Sequence, residues 1–161
     1  MSRRRIALLP YERATSGRKA LDEVQMILAS FGTTRFGMIT DTEKREVMVQ
    51  FTYRGRDILV RASVAGYAAA LLKKSPYTYR MRRSKEQHER EAIEQAEISV
   101  CSILRDWIKG QITAVEVGAL SFEGAFLGNI LLSSGKTVLD AIEAQKLLPP
   151  AEPEQKLRIA K

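Results

Sequence analysis

The stretch Glu46-Val47-Met48-Val49-Gln50-Phe51-Thr52-Tyr53-Arg54-Gly55-Arg56-Asp57-Ile58-Leu59-Val60-Arg61-Ala62-Ser63 decides the fold. Before Gly55, Val47, Val49, Phe51 and Tyr53 alternate with Met48, Gln50, Thr52 and Arg54; after it, Ile58, Val60 and Ala62 alternate with Leu59, Arg61 and Ser63. A period of two marks strands with one buried face, and two such runs around a glycine make an antiparallel hairpin. With Gly55-Arg56 as a two-residue loop of type II′, Arg54 faces Asp57, Tyr53 faces Ile58, Phe51 faces Val60 and Val49 faces Ala62. This register gathers the apolar pairs on one face and adds an opposite-charge pair, whereas a slip of one residue would invert both faces.

Upstream, Ala20, Leu21, Val24, Ile27, Leu28 and Phe31 follow the spacing of one helical face, so a helix is expected over 17–31, capped by Ser16 and ended by Gly32. A short strand follows at 35–40. Downstream, Ala65–Leu72 reads as a short helix stopped by Pro76, and 73–83 as an exposed loop. Ser84 and Gln87 form a capping box that opens a long helix with Ile93, Ala96, Val100, Leu104 and Trp107 on its buried face, widened by Cys101 and Ile108. Glu86 and Arg90 are spaced as an i,i+4 pair on its wet side, and Gly110 is expected to break or kink it. A short helix is expected over 112–118, then helices over 122–132 and 138–148, capped by Ser121 and Thr137. The fold class is α+β: a small three-stranded antiparallel sheet packed against several helices, one of them long. It is expected as a single domain over 1–148, with a basic arm at 1–15 and a disordered tail at 149–161.

At 161 residues the chain has the length of one core. A hydrophobic fraction of 45% excludes wholesale disorder, and one cysteine excludes an internal disulfide and fits a reducing compartment. The net charge of +7 favours polyanionic partners. Arg3, Arg4 and Arg5 precede an apolar run that Pro10 cuts short of a signal sequence, and no stretch is long enough to cross a bilayer, so a cytoplasmic location without membrane contact is expected.

Most of the motifs with chemical potential have bland explanations. Ser134-Gly135-Lys136-Thr137 resembles the end of a phosphate loop, but Ile130 stands where the first glycine belongs, so a turn and helix cap is expected. His88 is the sole histidine, which excludes a two-histidine zinc site, and it is expected to be solvated on its helix. Cys101 falls on a buried stripe and is expected to be inert. Gly124 and Gly128 have the spacing of close helix packing. A magnesium-dependent nuclease could draw on Asp41, Glu43, Glu46 and Asp57, yet Lys44 and Arg45 interrupt the set. No motif implies a catalytic residue, a cofactor or a metal.

The strongest functional signal is at 73–90. Lys73, Lys74, Arg80, Arg82, Arg83, Lys85 and Arg90 outnumber Glu86 and Glu89, and Tyr77 and Tyr79 stand among them. Cations neutralise phosphates with counterion release and aromatic rings stack on bases, a combination suited to single-stranded nucleic acid. Arg54 and Arg61, on the outer sheet face, extend the expected site.

The order of helix, three strands, basic segment and long helix, over about residues 17–109, resembles the core of the single-strand annealing recombination proteins of phages. Phe36-Gly37, Val49-Gln50-Phe51, Gly55-Arg56, Ala114-Val115-Glu116, Ser121-Phe122-Glu123, Phe126-Leu127 and Gly135-Lys136-Thr137-Val138 also resemble a family of uncharacterised proteins from bacteriophages and mobile elements. These resemblances imply a mobile-DNA context, in the host cytoplasm if phage-borne. The expected function is non-catalytic binding of single-stranded DNA, with strand annealing by a homo-oligomer. The alternatives are a protein-interaction module, such as an inhibitor of a host nucleoprotein machine, the small nuclease above, and a virion subunit.

Overall fold

The computed structural model describes residues 8–151. Of the expected tail over 149–161, residues 152–161 lie outside these residues, as do residues 1–7 of the expected arm, Arg3, Arg4 and Arg5 among them. The chain runs α1 (Gly17–Ser30), β1 (Phe36–Asp41), β2 (Glu46–Tyr53), β3 (Arg56–Ser63), α2 (Val64–Lys74), α3 (Lys85–Glu116), α4 (Phe122–Phe126) and α5 (Val138–Ala144), with a 3-10 turn at Leu127–Asn129. The three strands form one antiparallel sheet in the order β1-β2-β3. This is the α+β architecture that the alternation and helical periodicities imply.

The hairpin keeps its expected faces but moves its register by two residues. Tyr53 pairs with Arg56, Phe51 with Ile58, Val49 with Val60 and Val47 with Ala62. Arg54 and Gly55 form the turn with φ of 50° and 74°, the positive pair that a type I′ turn requires and that suits the twist of the strands. The expected Arg54–Asp57 pair is therefore not formed. Asp57 instead accepts from Thr52 Oγ1 across the strands at 2.6 Å.

Val47, Val49, Phe51, Tyr53, Ile58 and Val60 are buried on one sheet face beneath the helices. Ala20, Leu21, Val24 and Leu28 of α1 close the core from their side. Ser16 Oγ accepts the Lys19 N–H (3.2 Å), and Gly32 (φ 82°) closes the far end as Gly32 N–H reaches Ala29 O and Thr33 N–H reaches Leu28 O. This is the complete six-to-one, five-to-two helix ending.

α3 is one continuous helix of 32 residues; the expected break at Gly110 does not occur. Buried Ile108 and Ile112 flank Gly110, so packing outweighs the roughly 1 kcal/mol helix penalty of an exposed glycine. The helix ends at Gly118, whose φ of 76° leaves the helical region. The expected 122–132 helix is also corrected: α4 gives way to the 3-10 turn, and Ile130 bridges to Ile58. Phe122 and Phe126 pack with Phe51, Tyr53 and Trp107 at ring distances of 5.5–6.3 Å. Gly124 follows from a cap and not from helix packing, because a Cβ there would lie 2.8 Å from the capping Ser121 Oγ. Thr137 and Asp140 form the capping box of α5, the role expected of the Ser-Gly-Lys-Thr segment.

Continuity through Gly110 has a measurable consequence. Among the described residues nothing lies within 4 Å of a Cβ built there, so Gly110→Ala should raise stability by about 1 kcal/mol in urea unfolding. Gly118→Ala, at positive φ, should lower it by a similar amount. An unchanged or lowered midpoint for Gly110→Ala would mean that the helix is interrupted there.

Candidate nucleic-acid interface

The structure divides the ten expected binding residues into two groups. Five of the cations are paired with the protein's own carboxylates. Lys74 lies on α2, not in a loop, and its ammonium meets Glu12 at 2.5 Å with the two side chains only 15% and 13% exposed. Burial alone would raise the Glu12 pKa; the hydrogen bonds from Lys74 and the Leu9 N–H, together with the Lys74 and Arg13 charges, bring it below the usual carboxylate value. Lys74 is thereby removed from the interface and ties the N-terminal arm to α2.

The remaining paired cations are nearer the surface. Arg83 is bound by Glu91, and Lys85 lies 3.9 Å from Glu89 four residues on, the i,i+4 pair that forms in place of Glu86–Arg90. Arg61 meets Asp140 at 3.3 Å, and Arg54 stands 3.9 Å from Glu116 with its guanidinium 5.5 Å from the Tyr53 ring. Exposed pairs of this kind contribute at most about 1 kcal/mol, yet each supplies the counter-charge that a phosphate would otherwise provide.

Lys73, Tyr79, Arg80 and Arg82 are exposed, and none of the three cations has a salt-bridge partner among the described residues. Lys73 projects from the last turn of α2; the others stand on the loop between α2 and α3. Tyr79 is 83% exposed, and the Arg80 guanidinium lies 5.8 Å from its ring centroid. Tyr77 is half-buried, its ring 6.1 Å from that of His88.

Several contacts hold this loop in place. The Met81 N–H closes a turn on Thr78 O at 3.0 Å. Ser84 Oγ accepts the Gln87 N–H at 3.1 Å, while the Gln87 side-chain amide reaches Glu91 at 3.3 Å and so leaves half of the expected capping box unmade. His88, expected to be solvated, is 6% exposed and 2.7 Å from Ser75 O through Nε2. A carbonyl only accepts, so Nε2 carries a proton. The signal was present: His88, Ala92, Ala96, Val100, Leu104, Ile108 and Ile112 recur every four residues on the buried stripe.

The other chemistries find no converging geometry. Asp41 stands opposite Glu46 at the β1–β2 turn, but its Oδ1 accepts the Lys44 N–H at 2.8 Å, and Asp57 lies at the far end of β2–β3. Among the described residues, no group of three His, Cys, Asp or Glu side chains could hold a metal. No described helix is long and apolar enough to cross a membrane. No protein-family model matches the chain, and neither the curated proteins nor the solved structures contain a match.

Cys101 is buried as expected, and burial, reinforced by the Glu97 charge, pushes its thiol up to about 11. At pH 8 the thiolate population is then about 200-fold below that of an ordinary thiol. Ellman's reagent should label the native protein at least that much more slowly than the urea-unfolded chain. Because the folded value is raised, stability should also fall as pH rises from the unfolded thiol value, about 8.5, towards 11. Equal labelling rates in the native and unfolded chains would show the thiol to be accessible and ionisable.

Proposed function

We propose that the α2–α3 loop is a binding site for single-stranded nucleic acid, with Tyr79 as the stacking platform and Lys73, Arg80 and Arg82 as the phosphate contacts. One observation carries this reading: a tyrosine ring almost wholly in water, with a guanidinium beside it and, among the described residues, no carboxylate in a salt bridge with Lys73, Arg80 or Arg82. Stacking a base on such a ring contributes about 1–3 kcal/mol. A duplex keeps its bases stacked on one another, so an exposed ring favours unpaired strands. Strand annealing would use several copies side by side, each holding a short length of one strand.

Fluorescence anisotropy of a labelled single-stranded oligonucleotide across a salt series tests this proposal. Tyr79→Ala should weaken binding about tenfold. Replacing Lys73, Arg80 and Arg82 by alanine together should flatten the slope of log K against log salt by about 2. Arg61→Ala, whose cation already serves Asp140, should bind nearly as the wild type does. Unchanged affinity and slope in the loop variants would remove the loop from the site. Absence of oligonucleotide binding at low salt, with capture of an acidic protein by the same loop, would favour the interaction-module alternative.

A further inference from the structure

The two edges of the sheet differ. Beyond β3, the Leu131 N–H donates to Asp57 O (2.8 Å), Asn129 Nδ2 donates to Leu59 O (3.2 Å), and Ile130 bridges Ile58, so the chain itself covers that edge. Among the described residues, none pairs with the outer edge of β1. The Thr52 N–H donates to Arg35 O at 3.2 Å, which sets the alternation of the β1–β2 ladder. Gly37, Ile39 and Asp41 then turn their backbone groups to β2, and Phe36, Met38 and Thr40 turn theirs to the open edge. β1 has no proline or lysine of the kind that usually blunts an exposed edge, and its consecutive Met38 and Ile39 are 42% and 54% exposed.

The segment Arg35-Phe36-Gly37-Met38-Ile39-Thr40-Asp41 is complementary to its own reverse. Laid antiparallel to a second copy with the two Met38 residues opposed, it sets Phe36 against Thr40, Gly37 against Ile39 and Arg35 against Asp41, each pair occurring twice by two-fold symmetry. In this register Phe36, Met38 and Thr40 of both copies bring their open N–H and C=O groups together. A shift of one residue would oppose them to groups already bonded to β2, and a shift of two would leave one of the three without a partner in the strand. On the outer sheet face Ile39 would meet Gly37 of the second copy, where among the described residues nothing lies within 4 Å of a built Cβ. At each end Arg35 would meet Asp41, and among the described residues neither is in a salt bridge. Opposite charges placed directly across two strands stabilise the pairing.

The helix layer leaves room for the seam. Phe36, Met38 and Thr40 line an open groove of about 600 Å³ between β1, α1 and α3, with Leu21 and Ile98 on its floor, and the second Met38 would lie at its mouth. The carboxylates of that groove, Asp22, Glu94 and Glu97, stand with Arg18 on the helix face, whereas the Arg35–Asp41 pairs fall on the other face of the sheet. We propose that β1 is the interface of a two-fold dimer, in which the sheets of two copies join edge to edge into one sheet of six strands. The seam uses no residue of the α2–α3 loop, so it forms without nucleic acid.

Sedimentation equilibrium of the full chain without nucleic acid, together with cysteine cross-linking, tests the proposal. The wild type should show a concentration-dependent equilibrium between monomer and dimer. Arg35→Glu, which opposes carboxylates at both ends of the seam, should weaken it about tenfold. Lys109→Glu, the same change of charge at an exposed site on α3, should leave it unchanged. Under mild oxidation Met38→Cys should form a disulfide-linked dimer about tenfold faster than Thr40→Cys. Opposed Cα atoms in the seam lie about 5.5 Å apart, within disulfide range, whereas the two copies of position 40 stand four residues apart along the strands. A wild type that sediments as a monomer throughout, or equal cross-linking rates at the two positions, would overturn the proposal. Dimerisation that Arg35→Glu leaves unchanged would place the contact elsewhere and overturn it equally.

Discussion

The fold depends on one continuous apolar stripe along α3. Ala96, Val100, Leu104, Ile108 and Ile112 are buried at intervals of four, and α1, α2 and the sheet close around them. A 32-residue helix far exceeds what propensity alone would hold straight through an exposed glycine; tertiary burial keeps it whole. Removing one of the larger aliphatic side chains from this stripe would open a cavity at a typical cost of 2–5 kcal/mol. The helix is thus the spine on which the two ends of the molecule are positioned.

At its N-terminal end α3 positions the basic loop. His88 lies on the buried stripe and reaches back to Ser75, and Glu91 binds Arg83, so both flanks of the loop are anchored. The intervening Tyr79, Arg80 and Arg82 are left facing solvent. At the C-terminal end, Glu116 binds Tyr53 Oη and sits near Arg54, which draws the hairpin turn to the helix and partly neutralises it. One helix therefore leaves cations available at one end and engages them at the other.

The strands, their faces and the helical stripes were legible because alternation and i,i+4 spacing are local. The hairpin register was not, because a shift of two residues preserves both faces; the turn chemistry of Arg54-Gly55 decided it. The continuity of α3 was hidden because a glycine marks a break unless the flanking Ile108 and Ile112 are known to be buried on one surface. The basic cluster was visible as a count of charges, but Lys74–Glu12, Arg61–Asp140 and Arg54–Glu116 join residues more than sixty positions apart. Only the fold reveals which cations are already neutralised. Of the expected cations, Lys73, Arg80 and Arg82 are the ones without a salt-bridge carboxylate among the described residues.

We propose that α3 holds an aromatic and cationic tip, Tyr79 with Lys73, Arg80 and Arg82, whose cations have no salt-bridge partner among the described residues and to which unpaired nucleic acid binds. The most direct measurement is a backbone and aromatic NMR titration of the full chain with an unstructured oligonucleotide at low salt. The largest amide shifts should fall at Lys73 and across 78–83, with the Tyr79 ring protons moving upfield as a base stacks on them. Shifts centred on the outer sheet face around Arg61, or none anywhere, would contradict it.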